Sequence, residues 1–221
     1  MERITEPELM DDPVQALAYT LADFSASHGR RVEIFQRLFP NFSLTGAVLD
    51  LGCGSGDVLL RFARAFPRAR FTGVDGAKPM VDLARRAIEA EPGLRSRVQV
   101  IEGVLPQCTL PPESWQLIMS HSVLHQLHEP MVLWKSIRQV GQPGCSVFVA
   151  DLRRPASSAE ARRMVEQNSA HEPEILRRDF FNSLCAAFEP DEVRAQLAAA
   201  GLSQLSVQLQ DPFHLTVHGT L

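Results

Sequence analysis

The sequence predicts an α/β fold: a mostly parallel sheet of seven strands, helices on both of its faces, and an antiparallel hairpin strand closing one edge. Three observations predict it. Short apolar runs alternate with stretches whose apolar residues recur every three or four positions, the first such junction carries three closely spaced glycines, and two alternating strands flank a turn near the end of the chain.

The elements follow in order. Between 12 and 39, Val14, Leu17, Ala18, Leu21 and Phe24, then Val32, Phe35, Leu38 and Phe39, recur at helical steps, so two helices are expected ahead of the core. Residues 47–51 form a short apolar strand ended by Gly52, and 55–65 resume helical spacing with Val58, Leu59 and Phe62. The alternation repeats: strand 71–74 and helix 79–90, strand 98–101 and a loop, strand 115–119 and helix 131–140, then strand 146–150. Such an order implies right-handed crossovers and a parallel sheet covered on both sides.

After Asp151 the pattern changes. Segments 157–168, 174–188 and 190–200 read as helices, with Gly201 placed to end the last of them. Strands 205–209 and 214–217 flank a turn at Asp211 and Pro212 and are expected as a terminal hairpin on the sheet edge. The expected organisation is one domain over 1–221: a helical cap (1–45), a ligand-binding core (46–151), a helical lid or insertion (152–200) and a closing hairpin (201–221). No repeats or low-complexity tracts interrupt it.

Bulk properties narrow the partners. At 221 residues, 45% hydrophobic and 22% charged, the chain can bury a full core. A net charge of −4 supplies no basic field for a phosphate backbone, so a small molecule is expected as partner and nucleic acid is not. Cys53, Cys108, Cys145 and Cys185 lie far apart and form no Cys-x-x-Cys pair, which argues against a zinc knuckle or redox pair and for reduced thiols in the cytoplasm. The leading MERITEPELMDD is polar and acidic where a signal peptide would be basic and then apolar, and no apolar run reaches membrane-spanning length. A cytoplasmic protein without a membrane partner is expected; the oligomeric state is not legible.

The glycine turn carries the chemistry. In Val48-Leu49-Asp50-Leu51-Gly52-Cys53-Gly54-Ser55-Gly56, alternating glycines stand where a buried strand gives way to a helix, a place where a Cβ would stop the backbone approaching a ligand. The spacing alone also fits a tight strand-to-helix packing turn. Its continuation favours a ligand: Asp75 ends the next strand about 20 residues on, where a carboxylate can accept both hydroxyls of a ribose. A dinucleotide site wants G-x-G-x-x-G, with a pyrophosphate on the helix N-terminus. Here the glycines run G-x-G-x-G after an acid, Asp50, which would repel a pyrophosphate and suits a ligand bearing an ammonium and a sulfonium.

Taken with Asp75 and Ser120-His121-Ser122-Val123-Leu124-His125-Gln126-Leu127, the segment Asp50 to Gly56 resembles the class I S-adenosylmethionine-dependent methyltransferases of the ubiquinone/menaquinone-biosynthesis-like group. The resemblance spans 46–151 and extends loosely to the hairpin. It implies a Rossmann-like fold and S-adenosylmethionine as cofactor, with S-adenosylhomocysteine as product. By the same resemblance Asp50, Gly52, Cys53 and Gly54 would hold the methionine moiety, Asp75 the ribose, and Gly76 and Met80 the sides of the adenosine. Gly103, Val104 and Leu105 would line the adenine, Ser120 and His121 would sit near the sulfonium and methyl group, and Tyr19 would reach the methionine end from the leading helices. Two positions depart from the pattern: Val104 stands where an acid usually accepts from the adenine amino group, and Gln116 replaces the acid that begins the fourth strand.

Methyl transfer is an in-line displacement on an activated carbon, so alignment and exclusion of water supply much of the catalysis. An acceptor bearing a proton would also want a base. His121, His125 and His128 follow the fourth strand and Asp151 ends the fifth, both at the ligand-binding edge of the sheet; His125 is the preferred base, with a packed histidine as its alternative reading. The three histidines also allow a metal site, but a fully built ligand set is not evident and no metal is expected. Tyr19, Phe24, Phe180 and Phe181 fit a closing lid or ordinary helix docking. Arg153 and Arg154 fit an attraction for an anionic acceptor or, preferably, solvated loop charges, as do Arg162, Arg163, Arg177 and Arg178; His214 and His218 are expected to be structural or at the surface.

The acceptor itself has no motif. Nucleic-acid methylation lacks its signatures, since Pro111-Pro112-Glu113 has no asparagine and no Pro-Cys pair occurs. The alternative readings are a catalytically silent cofactor-binding module and a nicotinamide dehydrogenase.

Overall fold

The computed structural model describes residues 1–221 and builds the sheet from β1 (Ala47–Leu51), β2 (Arg70–Asp75), β3 (Val98–Glu102), β4 (Trp115–His121), β5 (Ser146–Leu152), β6 (Ser206–Leu209) and β7 (His214–Thr220). The strand order is β3-β2-β1-β4-β5-β7-β6. β1, β2, β3, β4 and β5 pair in parallel, whereas β7 runs antiparallel to both β5 and β6. The order reverses between β1 and β4, so the crevice beyond their carboxyl ends is where a doubly wound sheet receives a ligand.

Every residue of β1 and β5 is buried because helices cover both faces. Strand alternation divides the core accordingly. Val48, Leu117, Met119 and Phe148 point to the face packed by α2 (Ser25–Leu38), α3 (Asp57–Ala65) and α4 (Lys78–Glu89), while Leu49, Ile118, Val147 and Val149 meet α5 (Met131–Val140) and α8 (Pro190–Ala200). On the first face Phe35 stands at the centre of five rings, Phe39, Phe42, Phe62, Phe66 and Phe148, each within 6 Å of its own centroid. α6 (Ser158–Ser169) and α7 (Glu174–Ala186) pack on each other and on Leu152, above the sheet edge. α1 (Pro13–Leu21) rests Ala16 against Ala77 and Met80 of the α4 start.

Two expectations change. The α7 helix stops at Ala186, and Phe188 leaves it to bridge Arg153. The leading cap is helical only from Pro13, where the Asp12 carboxylate accepts from the amides of Val14 and Gln15. Residues 1–12 instead form an extended strap between α7 and the loop after β4. Arg3 donates to the carbonyls of Ala186 (2.6 Å), His125 (2.8 Å) and Leu127 (2.8 Å), and the amide of Ile4 donates to Cys185 (3.0 Å). No helix is long and apolar enough to cross a membrane.

Candidate functional site

A cavity of about 1010 Å³ opens above the carboxyl ends of β1, β2 and β4, roofed by the strap and by α1, α2 and α7. Its floor is the glycine turn. Gly52, Gly54 and Gly56 all adopt left-handed backbone (φ +74°, +53° and +84°), which a side chain would strain. A Cβ on Gly52 would collide with Val123, whereas nothing stands within 4 Å of one on Gly54, the point at which the turn faces open cavity.

Two carboxylates flank this floor. Asp75 accepts the Gly54 amide at 2.7 Å through Oδ2 and the Ala77 amide at 2.9 Å through Oδ1; burial raises its pKa despite both amides. Asp50 is buried and its Oδ1 has no partner. Burial first, and the charge of Asp75 second, push its pKa up to about 8. An unpartnered buried acid is costly, and a cationic donor delivered into the cavity would offset that cost. The Cys53 thiol, pushed well up by burial and by the same two acids, stays neutral and packs against Gly73.

Beyond Asp75 the wall consists of Gly76, Met80, Gly103, Val104 and Leu105, with Leu9 of the strap facing Gly76 so closely that a Cβ there would stand 2.9 Å from Leu9 Cδ2. Tyr19 lines the opposite part; burial lifts its phenol to about 12, and its ring packs on Phe24 at 4.8 Å. Phe24 in turn stacks on His28, whose Nδ1 meets Asp57 Oδ2 at 2.7 Å. Phe180 also lines the cavity, whereas Phe181 does not and lies beneath Arg162.

Ser120 does not reach the cavity. It is fully buried and its hydroxyl donates to the Leu51 carbonyl at 2.6 Å, tying β4 to β1. Its neighbour His121 does line the cavity, with Phe62 and Phe148 against its ring and neither nitrogen hydrogen-bonded. Burial, reinforced by the positive charge of Arg31, holds its pKa well below the usual histidine value, so the ring is neutral and keeps a free lone pair.

His125 is differently placed. Nδ1 donates to Asp151 Oδ1 at 2.5 Å and Nε2 faces Glu6 Oε1 at 3.4 Å, all three side chains being at least nine-tenths buried. Burial alone would lower its pKa, but the charge and hydrogen bond of Asp151, with Glu6, outweigh it and hold the pKa above the ordinary value; Asp151 is held below its own. Both ring nitrogens are thus turned to carboxylates, Nδ1 within hydrogen-bond distance of Asp151 and Nε2 toward Glu6. The remaining histidine of the trio, His128, donates from Nε2 to the Glu6 carbonyl (2.7 Å), and its amide donates to Glu8. The three rings therefore serve three different sets of partners.

The arginines are also redistributed. Arg154 is no solvated loop charge: it is buried and donates to the Ala187 carbonyl (3.0 Å) and Glu192 (2.8 Å). His214, expected to be structural or at the surface, lines the cavity and is held by Asp211 at 2.9 Å. Sequence reading missed Glu6 and Arg31. The signal for Arg31 was available, because Phe24, Ser27, His28 and Arg31 share one face of α2 at helical spacing and all line the cavity.

Residues 48–145 match the family model described as "Methyltransferase domain". Among curated proteins the chain is similar to an uncharacterized methyltransferase of Schizosaccharomyces pombe, 25% identical over 45% of this chain and 37% of that protein. It is also similar to the demethylmenaquinone methyltransferase of Chlamydia trachomatis, 27% identical over 51% and 47%. The match thus spans less than half the length of either relative. Among solved structures, a SAM dependent methyltransferase from Aquifex aeolicus superposes with a TM-score of 0.68 at 18% identity, covering 94% of this chain and 97% of its own. The plantazolicin methyltransferase BpumL in complex with SAH gives 0.70 at 14% identity, covering 95% and 91%. Both likenesses concern the fold.

Proposed function

We propose that this chain, which matches a methyltransferase-domain model over residues 48–145, is a class I, S-adenosylmethionine-dependent methyltransferase that transfers the sulfonium methyl group of that cofactor to a small-molecule acceptor. The observation that carries the reading is the unpartnered Asp50 carboxylate beside the open face of Gly54, with Asp75 across the same floor. Asp50 would receive the ammonium, the backbone of Gly52, Cys53 and Gly54 the methionine carboxyl end, and the free lone pairs of Asp75 the ribose hydroxyls. Gly76 and Met80 would flank the adenosine. Gly103, Val104 and Leu105 would hold the adenine by backbone groups and apolar contact, in keeping with the missing acid at Val104.

When bound, the cofactor supplies an activated methyl carbon whose bond to sulfur breaks as the bond to the acceptor forms, leaving S-adenosylhomocysteine. The chain's own part is to align and to exclude water, for which Tyr19, Phe24, Phe180 and Phe213 provide an apolar wall. His121, neutral and unpartnered, is the group suited to accept a hydrogen bond or proton from the acceptor. His125 is a positioning residue: with Asp151 it fixes the loop that sets Val123 against Gly52. A roofed cavity and a net charge of −4 favour a small acceptor over nucleic acid, and four unpaired cysteines suit a reducing cytoplasm.

Titration calorimetry with S-adenosylhomocysteine and with NAD tests the cofactor, and release of S-adenosylhomocysteine across an acceptor panel tests turnover. Micromolar binding of the former alone is expected. Preference for NAD overturns the reading, and cofactor binding with no turnover across the panel counts for the silent module.

A further inference from the structure

Arg31 lies one turn beyond His28 on the cavity face of α2 and is only 5% exposed. Its guanidinium makes no hydrogen bond or ion pair with the protein; burial, with the charge of Arg30, lowers its pKa, and Asp151, Asp211 and Tyr19 oppose that only through space. The fold treats its other strongly buried arginine in the opposite manner, giving Arg154 a carbonyl and two glutamates. Nor are the nearby acids free to serve Arg31. Asp151 is taken by His125 at 2.5 Å and Asp211 by His214 at 2.9 Å. A buried cation with five donors and no acceptor costs free energy unless something brought into the cavity supplies the acceptor.

The surroundings describe that missing group. Phe24, Leu152, Leu176, Phe180 and Phe213 give the same cavity an apolar wall, while both nitrogens of His121 are unpartnered. A guanidinium fork matches a carboxylate bidentately. With Asp151 and Asp211 both acting on the same site, a monoanion is tolerated and a phosphate dianion is opposed.

We propose that the methyl acceptor is a small molecule with an apolar body and a carboxylate, and that Arg31 is the specificity residue that seats the carboxylate. This rests on reading the cavity as a methyl-transfer site, since the carboxylate would then fix the acceptor against the α2 side while the reacting atom lies toward His121.

The probes are benzoate, 3-phenylpropanoate and octanoate, each compared with its own amide by calorimetry, with and without S-adenosylhomocysteine. In the unmodified protein at least one acid should bind tenfold or more tighter than its amide. Arg31→Met should erase that difference and Arg31→Lys should keep part of it, with S-adenosylhomocysteine affinity retained in both as the measure of an intact fold. Acids and amides that bind alike, or a preference that survives Arg31→Met, overturn the proposal. If S-adenosylhomocysteine does not bind the unmodified protein, the methyltransferase reading falls, while the acid-to-amide comparison made without it still decides the Arg31 seat.

Discussion

Asp151 holds His125 Nδ1 at 2.5 Å through one carboxylate oxygen and the amides of Val123 (2.9 Å) and Leu124 (2.7 Å) through the other. A single side chain at the end of β5 therefore holds the start of the loop after β4, whose His125 and Leu127 carbonyls Arg3 ties to the strap. That loop in turn carries the valine that abuts Gly52 at the cavity floor.

Removing one partner of this buried pair should be costly. His125→Ala leaves Asp151 uncompensated and is expected to lower unfolding free energy by about 3–5 kcal/mol, read by urea denaturation. S-adenosylhomocysteine affinity should be retained in the folded fraction, because the Val123 amide keeps its bond to Asp151. A variant of unchanged stability and cofactor affinity with kcat down about 10²–10⁴-fold would return the base role to His125.

The same pair fixes a pH dependence. The lowered Asp151 pKa contributes stability that is present above the unfolded carboxylate value and lost as pH falls through the folded one. The raised His125 pKa contributes stability that is complete below the unfolded histidine value and lost as pH rises through the folded one. Chemical denaturation should show the pair's contribution flat between about pH 4 and 6.5 and declining on either side. His125→Gln should remove the alkaline decline.

Asp50 predicts how binding responds to pH. With its pKa at about 8 in the free protein, the acid is mostly protonated at neutrality, whereas a bound ammonium favours the carboxylate. S-adenosylhomocysteine affinity should therefore rise between about pH 6 and 8, by up to about tenfold per unit, and proton release should be measurable by calorimetry in buffers of different ionisation heat. Asp50→Asn should bind weakly with a flat profile. A rising profile that persists in this variant places the titrating group elsewhere.

At Asp75 and Gly52 the expectation is loss of binding in a folded protein. Asp75→Ala should weaken cofactor binding by about 1.5–3 kcal/mol, with native circular dichroism. Gly52→Val should abolish binding, since the new side chain would need left-handed backbone and the space of Val123. An unchanged dissociation constant in a folded Asp75→Ala protein removes the ribose role.

For His121 the expected signature is kinetic. Its pKa is already far below the usual value, so kcat should show no histidine limb between about pH 6 and 8. His121→Phe should lower kcat by about 10-fold or more and leave cofactor affinity within a few-fold, read from S-adenosylhomocysteine release once an acceptor is in hand.

The parallel strands, the glycine turn and the Asp75 position were legible because each depends on local periodicity or short spacing. Ser120 and His121 show where that reasoning stops. Both follow from one motif, yet neighbouring strand residues point to opposite faces, and alternation sends Ser120 to the Leu51 carbonyl and His121 to the cavity. The strap was invisible for a different reason. It has no period, and its contacts span the chain, from Arg3 to Ala186 and from Glu6 to Ser183. The partners of His125 were invisible for the same reason, since the carboxylates that face its nitrogens lie at positions 6 and 151.

The strap passes over Gly76 as part of the roof of the cavity. Leu9 lies across the part of the floor where adenosine is proposed to sit, and Arg3, Glu6 and Glu8 fasten the same segment to α7 and to the loop after β4. With cofactor on that floor, opening of these fastenings would add to its release a conformational step distinct from the chemistry. Turnover measured with excess acceptor should accordingly slow with solvent viscosity and quicken when the fastenings are weakened.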